Sequence, residues 1–140
     1  MTDDVQALRK VGFFEELTDD DLARVAKVGQ RRRFAAGEAL VERDSDRGGL
    51  YVILSGSASV EVGGATHELR PGDFFGEMAL LGRTRRSASV TAVEPVEALV
   101  IETIYFDPFL MQNPSVAVAI LHGVVERLRE VQERVDRAET

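Results

Sequence analysis

From Arg33 to about Glu102 the sequence is cut into short apolar or alternating runs by Gly, Asp and Pro, and this punctuation constrains the fold more than any other feature. The runs are Ala39-Leu40-Val41, Leu50-Tyr51-Val52-Ile53-Leu54, Ala58-Ser59-Val60-Glu61-Val62, His67-Glu68-Leu69, Ser89-Val90-Thr91-Ala92 and Ala98-Leu99-Val100-Ile101. Ser55-Gly56, Gly63-Gly64 and Pro71-Gly72-Asp73 supply the turns between them. Regularly spaced short strands with such turns predict a sandwich, jelly roll or small barrel. Gly63-Gly64 between two alternating runs has the form of a two-residue hairpin.

Helical patterns flank this region. Leu17-Thr18-Asp19-Asp20-Asp21-Leu22 reads as a helix start: Thr18 is the N-cap, three aspartates sit at the positive end of the dipole, and Leu17 and Leu22 have staple spacing. This helix is expected to run to about Val28, with Leu22, Val25, Ala26 and Val28 facing inward. A second helix opens at Asn113-Pro114-Ser115, where Pro is tolerated in the first turn, and continues to about Arg137. Its Ala117, Leu121, Val124, Leu128, Val131 and Val135 are spaced alternately four and three apart, which is a heptad seam. Either this face covers the domain's own core, or it pairs with a second copy. The even 3.5-residue period favours a two-helix homodimer.

The predicted architecture is therefore mainly β, a jelly-roll-like β-barrel with an N-terminal helix and a long C-terminal helix in a single domain. The N-terminal helical part spans about 1–30, the barrel about 31–102 and the C-terminal helical part about 103–138. With 140 residues, 44% of them hydrophobic and 29% charged, the chain is of one-domain size and can bury a core. It has no apolar run approaching the ~18 residues of a membrane span and no basic-then-apolar leader, so a cytoplasmic location is expected. The absence of cysteine excludes disulfides, thiolate zinc sites and cysteine nucleophiles. A formal net charge of −7, from 17 basic and 24 acidic residues, argues against direct nucleic-acid binding. Positive charge is nonetheless clustered at Arg31-Arg32-Arg33 and at Arg83, Arg85 and Arg86, and a local cluster can form an anion site.

The chemistry is concentrated in Pro71-Gly72-Asp73-Phe74-Phe75-Gly76-Glu77-Met78-Ala79-Leu80-Leu81, followed by Arg86-Ser87-Ala88-Ser89-Val90. A glycine before a helical turn lets backbone N–H groups approach a phosphate. An arginine nine residues after the glutamate can return on the next strand and neutralise the same anion. Glu77 is repelled by phosphate, so its carboxylate makes sense as acceptor of a sugar hydroxyl. Together these groups describe a pocket for a sugar carrying a singly charged phosphodiester. Glu77 as a solvated turn residue paired to Arg86 is the plainer alternative.

Gly76-Glu77-Met78-Ala79-Leu80-Leu81 and Arg86-Ser87-Ala88-Ser89-Val90 resemble the phosphate-binding cassette of the cyclic-nucleotide-binding domain family, which includes the sensor domain of the bacterial catabolite activator protein and the regulatory subunits of cAMP-dependent kinase. Phe34, Gly37-Glu38, Leu50-Tyr51, Leu54-Ser55-Gly56, Pro71-Gly72-Asp73 and Phe106 extend the resemblance over nearly the whole chain. It implies a binding site of Gly76, Glu77, Met78, Ala79, Arg86, Ser87 and Ala88. Glu77 would accept the ribose 2′-hydroxyl, Gly76, Met78 and Ala79 would line ribose and phosphate, and Arg86 would contact the cyclic phosphate beside Ser87 and Ala88. The implied ligand is cAMP, with cGMP second, because Ser87 follows Arg86 as in the bacterial activator. The implied action is regulatory and not enzymatic, with the helix after the barrel shifting on ligand binding to signal to an effector protein or domain.

The chain departs from the family pattern in Arg85, where eukaryotic members commonly have proline, and in Asp44-Ser45-Asp46-Arg47-Gly48-Gly49, which replaces the usual Gly-Asp-x-Gly-Asp. No aromatic follows Phe109 in the last helix to stack on a base. Two rival functions stand beside the sensor: a ligand-free dimerisation module of the same fold, and a cupin-like metal enzyme. The second is weak, because His67 and His122 are lone histidines in different elements and no metal set gathers around them.

Overall fold

The two longest strands explain why their sequences are almost continuously apolar. In a computed structural model, which describes residues 3–41, 48–82 and 88–139, β3 (Gly49–Ser55) and β8 (Val96–Glu102) pair antiparallel, with Val52 opposite Leu99 and Ile53 opposite Ala98. Tyr51, Ile53, Ala98 and Val100 point into the space between two sheets, while Leu50, Val52, Leu99 and Ile101 point to a layer of helices. Both faces are thus buried, and a strand buried on both faces loses its alternation.

β1 (Gln30–Phe34), β2 (Ala39–Val41), β4 (Ala58–Val62), β5 (Ala65–Leu69), β6 (Phe74–Phe75) and β7 (Val90–Ala92) complete two four-stranded antiparallel sheets. Their orders are β1-β8-β3-β6 and β2-β7-β4-β5. The expected jelly-roll-like β-barrel is realised as two packed sheets rather than a closed cylinder. Gly63-Gly64 joins β4 to β5 with both glycines at positive φ, as the hairpin signal requires. Leu40, Val41, Ala58, Val90, Ala92 and Val96 fill the inter-sheet core with the inward residues of β3 and β8.

β1 is an edge strand, and its three arginines bind carboxylates instead of an external anion. Arg31 bridges Asp4 at 2.8 Å and Glu97 at 2.9 Å, Arg32 meets Glu102 at 3.1 Å, and Arg33 meets Glu97 at 3.4 Å. Asp4 first, then Glu97, raise the pKa of Arg31 above its ordinary value. Charge along an edge strand also discourages pairing with another sheet.

The helical layer consists of α1 (Asp3–Arg9), a 3₁₀ turn (Gly12–Phe14), α2 (Asp19–Val28), α3 (Glu77–Gly82), α4 (Thr103–Gln112) and α5 (Pro114–Glu139). The predicted start of α2 is realised as a reciprocal cap: the Asp21 amide donates to Thr18 Oγ1 at 3.1 Å, and the Thr18 amide donates to Asp21 Oδ2 at 3.2 Å. α4 has no counterpart in the sequence reading, which assigns residues 103–112 only to a helical part. It is apolar nearly all round and carries Pro108 internally, so it has no helical period to read.

α4 and α5 are bent by 113° at Asn113, whose side-chain amide donates to the Phe109 carbonyl at 2.9 Å. Among the described residues no single helix is long and apolar enough to cross a membrane. α5 rests on the 3₁₀ turn through Val116, Ile120 and Gly123, and the Arg127 guanidinium lies 5.5 Å from the Phe13 ring centroid. Of the six seam residues, Leu121, Leu128, Val131 and Val135 are exposed, while Ala117 and Val124 are half-buried. The seam is therefore not the face that covers the domain.

Candidate functional site

The Pro71-Gly72-Asp73 turn delivers the chain to β6, which is only two residues long and lies on β3 with Phe75 stacked on Tyr51 at 4.9 Å between ring centroids. Gly76 follows at φ +87°, in the left-handed region where a side chain would be strained. Its carbonyl accepts from the Leu80 amide at 2.9 Å and so begins α3. The predicted residues Gly76, Glu77, Met78 and Ala79 thus lie together in one turn between a strand end and a short helix.

Their side chains take different roles. Ala79 and Leu80 are buried, and Leu80 enters the core shared with Phe106 of α4 and Val116 and Ile120 of α5. Met78 is 62% exposed. Glu77 is half-buried, and among the described residues its carboxylate has no hydrogen-bond or ion-pair partner. Ala88, also half-buried, lies just before β7. Arg86 and Ser87, together with Arg83 and Arg85, lie outside the described residues, as do Asp44, Ser45, Asp46 and Arg47 of the loop before β3.

One part of the site is invisible to sequence reading. Thr103, the first residue of α4, donates its hydroxyl to the Ala79 carbonyl at 3.3 Å, and its amide donates to the Gly48 carbonyl at 3.1 Å. The turn after β6, the start of β3 and the start of α4 therefore meet at one junction. A threonine at the first position of a helix has an ordinary local explanation, and nothing in its neighbours announces a bond to a residue 24 positions away.

His67 lies exposed on β5 and His122 exposed on α5, where its Nδ1 is 3.3 Å from a Glu16 carboxylate oxygen. Among the described residues no group of three or more histidines or carboxylates is gathered as metal ligands would be.

Comparison with known proteins agrees with this geometry. Residues 31–113 match the cyclic nucleotide-binding domain family. The chain is 39% identical over 90 residues, 64% of its length, to a cGMP-dependent protein kinase of Toxoplasma gondii. It spans 9%, 11% and 27% of the length of three curated relatives, this kinase included. Among solved structures, the N-terminal domain of a transcriptional regulator from Streptomyces coelicolor superposes with a TM-score of 0.80 at 27% identity, covering 92% of this chain and 94% of that one. The regulatory domain of Toxoplasma gondii PKA, solved with cAMP, superposes with a TM-score of 0.66 at 28% identity, covering 76% of this chain and 42% of that one. The two-sheet framework with its flanking helices is thus that of a known fold, and the chain belongs to the cyclic nucleotide-binding domain family.

Proposed function

We propose that the chain is a cytoplasmic sensor that binds cAMP, with cGMP as the weaker ligand, and carries out no chemistry on it. The observation that carries this reading is the half-buried Glu77 carboxylate beside the Gly76 turn, which has no hydrogen-bond or ion-pair partner among the described residues. No cation or amide of the described residues holds Glu77 in place as a structural partner would. A hydroxyl-bearing sugar supplies the missing donor, and Arg86 supplies the counter-charge for a cyclic phosphate. Met78, Ala79, Ser87 and Ala88 complete the site. The preference for cAMP rests on Ser87 after Arg86, as in the bacterial activator.

The output runs through α4 and α5. Ligand bound at the Gly76 turn acts on Ala79 and Leu80, and these touch α4 through Thr103 and through the shared core. Ligand then selects one arrangement of α4 and α5, which is a population shift between two packings. The reporter is a homodimer through the outer face of α5. There Val118, Leu121, Val125, Leu128 and Val135 are exposed, with Val125 and Val118 at one heptad position and Leu121 and Leu128 at the other. β-branched residues at one core position and leucine at the other suit a two-stranded coiled coil. The dimer in turn contacts an effector protein or domain.

Calorimetric titration with cAMP, cGMP and 5′-AMP tests the reading. cAMP is expected to bind more tightly than cGMP, and 5′-AMP to bind weakest. A charge-assisted hydrogen bond contributes ~1.5–3 kcal/mol, so Arg86→Ala should weaken cAMP by roughly one to two powers of ten, while Arg83→Ala leaves it nearly unchanged. Equal losses for the two variants would overturn the residue assignment, and failure of all three nucleotides to bind would leave the dimer helix as the functional element.

A further inference from the structure

The geometry points to a second binding site, in the cleft between α1 and the far end of β3, that takes a small organic acid with an apolar body and one carboxylate. The cleft has a volume of about 480 Å³, within the range of roughly 300–1,000 Å³ typical of small-molecule sites. Ala7 of α1, Leu54 of β3 and Pro71 give it an apolar floor, and Gln6, Lys10 and Ser55 stand at its polar rim. The Ile53 backbone in the wall is already satisfied, since the Gly72 amide donates to the Ile53 carbonyl and the Ile53 amide to the Asp73 carbonyl. Polar recognition therefore falls to side chains.

Charge decides the ligand class. Arg31 and Glu97 also line the cleft, but each is committed to the Asp4–Arg31–Glu97–Arg33 chain of ion pairs. The Lys10 ammonium has no hydrogen-bond or ion-pair partner among the described residues, and it hangs over Gly72, where a Cβ would sit 2.7 Å from Nζ. The charged residues lining the cleft are thus two cations (Lys10, Arg31) and one carboxylate (Glu97), leaving one positive charge in a chain whose net charge is −7. One carboxylate completes this set, whereas a dianion such as a phosphomonoester would leave a negative charge unmatched. An apolar body of a few carbons covers the floor of Leu54, Ala7 and Pro71.

The site is separate from the Gly76 turn and does not depend on the proposed nucleotide binding. The junction with Ala79 and Thr103 lies at the Gly48 end of β3, and the cleft lies at its Ser55 end. At ~3.3 Å per residue these ends are roughly 20 Å apart, and Gly72, the nearest part of the cleft wall along the chain, is four residues and so at most ~14 Å from Gly76. The two sites should therefore fill without competing.

The test is a titration of the whole chain with 4-phenylbutyrate followed by amide NMR shifts, with 4-phenylbutyramide as the uncharged comparator. Saturable shifts at Lys10, Leu54 and Ser55 are expected with the acid, at a Kd on the order of 1 mM or tighter for so small a ligand. The amide should bind about tenfold more weakly, and Lys10→Met should weaken the acid by a similar factor, as loss of one charge-assisted hydrogen bond implies. Lys10 is exposed, so its replacement leaves the fold intact. Saturating cAMP should not change the acid's affinity. Shifts that do not saturate, equal binding of acid and amide, or a Lys10→Met protein that binds as well as the parent would each overturn the proposal.

Discussion

Replacing Gly123 with alanine sets two known effects against each other, and the structure decides the sign. In an exposed helix interior the change stabilises by ~0.8–1 kcal/mol, because glycine loses more backbone freedom on folding. Here the new Cβ would sit 2.7 Å from the Phe13 carbonyl oxygen, 3.0 Å from its carbon and 3.2 Å from its Cα. All three are backbone atoms of the 3₁₀ turn, and that turn is pinned because Phe13 and Phe14 are both buried. Relief requires moving α5 outward by several tenths of an ångström, which loosens Val116 and Ile120 in the core. Overpacking of this kind costs ~1–3 kcal/mol, so the net expectation is a loss of about 1 kcal/mol. For a domain of this size that is a fall of roughly 3 °C in Tm, measurable by circular dichroism or calorimetry. Gly123→Leu, which cannot be accommodated by a small shift, should cost more and release the Arg127–Phe13 contact. A rise of ~3 °C for Gly123→Ala would refute the reasoning, since it would mean that the helix interior is free of the turn.

Other substitutions probe the site and its supports. Leu80→Ala removes a fully packed side chain that joins α3 to the helical core, and should cost ~2–5 kcal/mol in denaturant unfolding. Thr18→Ala removes the hydroxyl that accepts from the Asp21 amide, leaves the backbone amide of residue 18 on Asp21 Oδ2, and should cost ~1 kcal/mol by the same measurement. Glu at both Leu121 and Leu128 places charge on the outer face of α5, where the parent residues are 58% and 64% exposed. Analytical ultracentrifugation should then show a monomer with unchanged thermal stability per chain; a dimer that survives would locate the interface elsewhere.

Much of the β framework was legible because turns carry chemistry of their own. Gly63-Gly64 marks its hairpin, and the run Ala58–Val62 coincides with a strand. Thr18 and the aspartates after it announce α2 in the same local way. What escaped depends on distance along the chain. β6 is a strand of two residues, defined by its neighbour β3 rather than by its own pattern. β1 reads as three arginines, and only the carboxylates of Asp4, Glu97 and Glu102 turn them into an ordered edge. The phase of the α5 seam was ambiguous for a simpler reason: Ala117 and Val118 are both apolar, as are Val124 and Val125, so a period of 3.5 fits either member. Exposure separates them, with Val118 and Val125 outward and Ala117 and Val124 half-buried.

That separation bears on how a ligand signal could reach a partner chain. If one apolar face of α5 had to serve both the domain and a second copy, dimerisation would strip the helix from the 3₁₀ turn and the two contacts would compete. The residues that dock α5, Val116, Ile120 and Gly123, lie on the opposite side of the helix wheel from the outward positions Val118, Leu121 and Val125. A helix can then keep its inner face on Phe13 and Phe14 while its outer face meets a partner. On the proposed mechanism, a movement of α4 imposed through Thr103 and Leu80 would be carried by α5 into the partner interface. Thr103→Val tests this step alone, since it removes the hydroxyl that binds the Ala79 carbonyl and keeps the volume. Nucleotide affinity should change little, while the dependence of dimer stability on nucleotide should shrink. If dimer stability responds to nucleotide as strongly as in the parent, the coupling runs through the Leu80 core and not through this hydrogen bond.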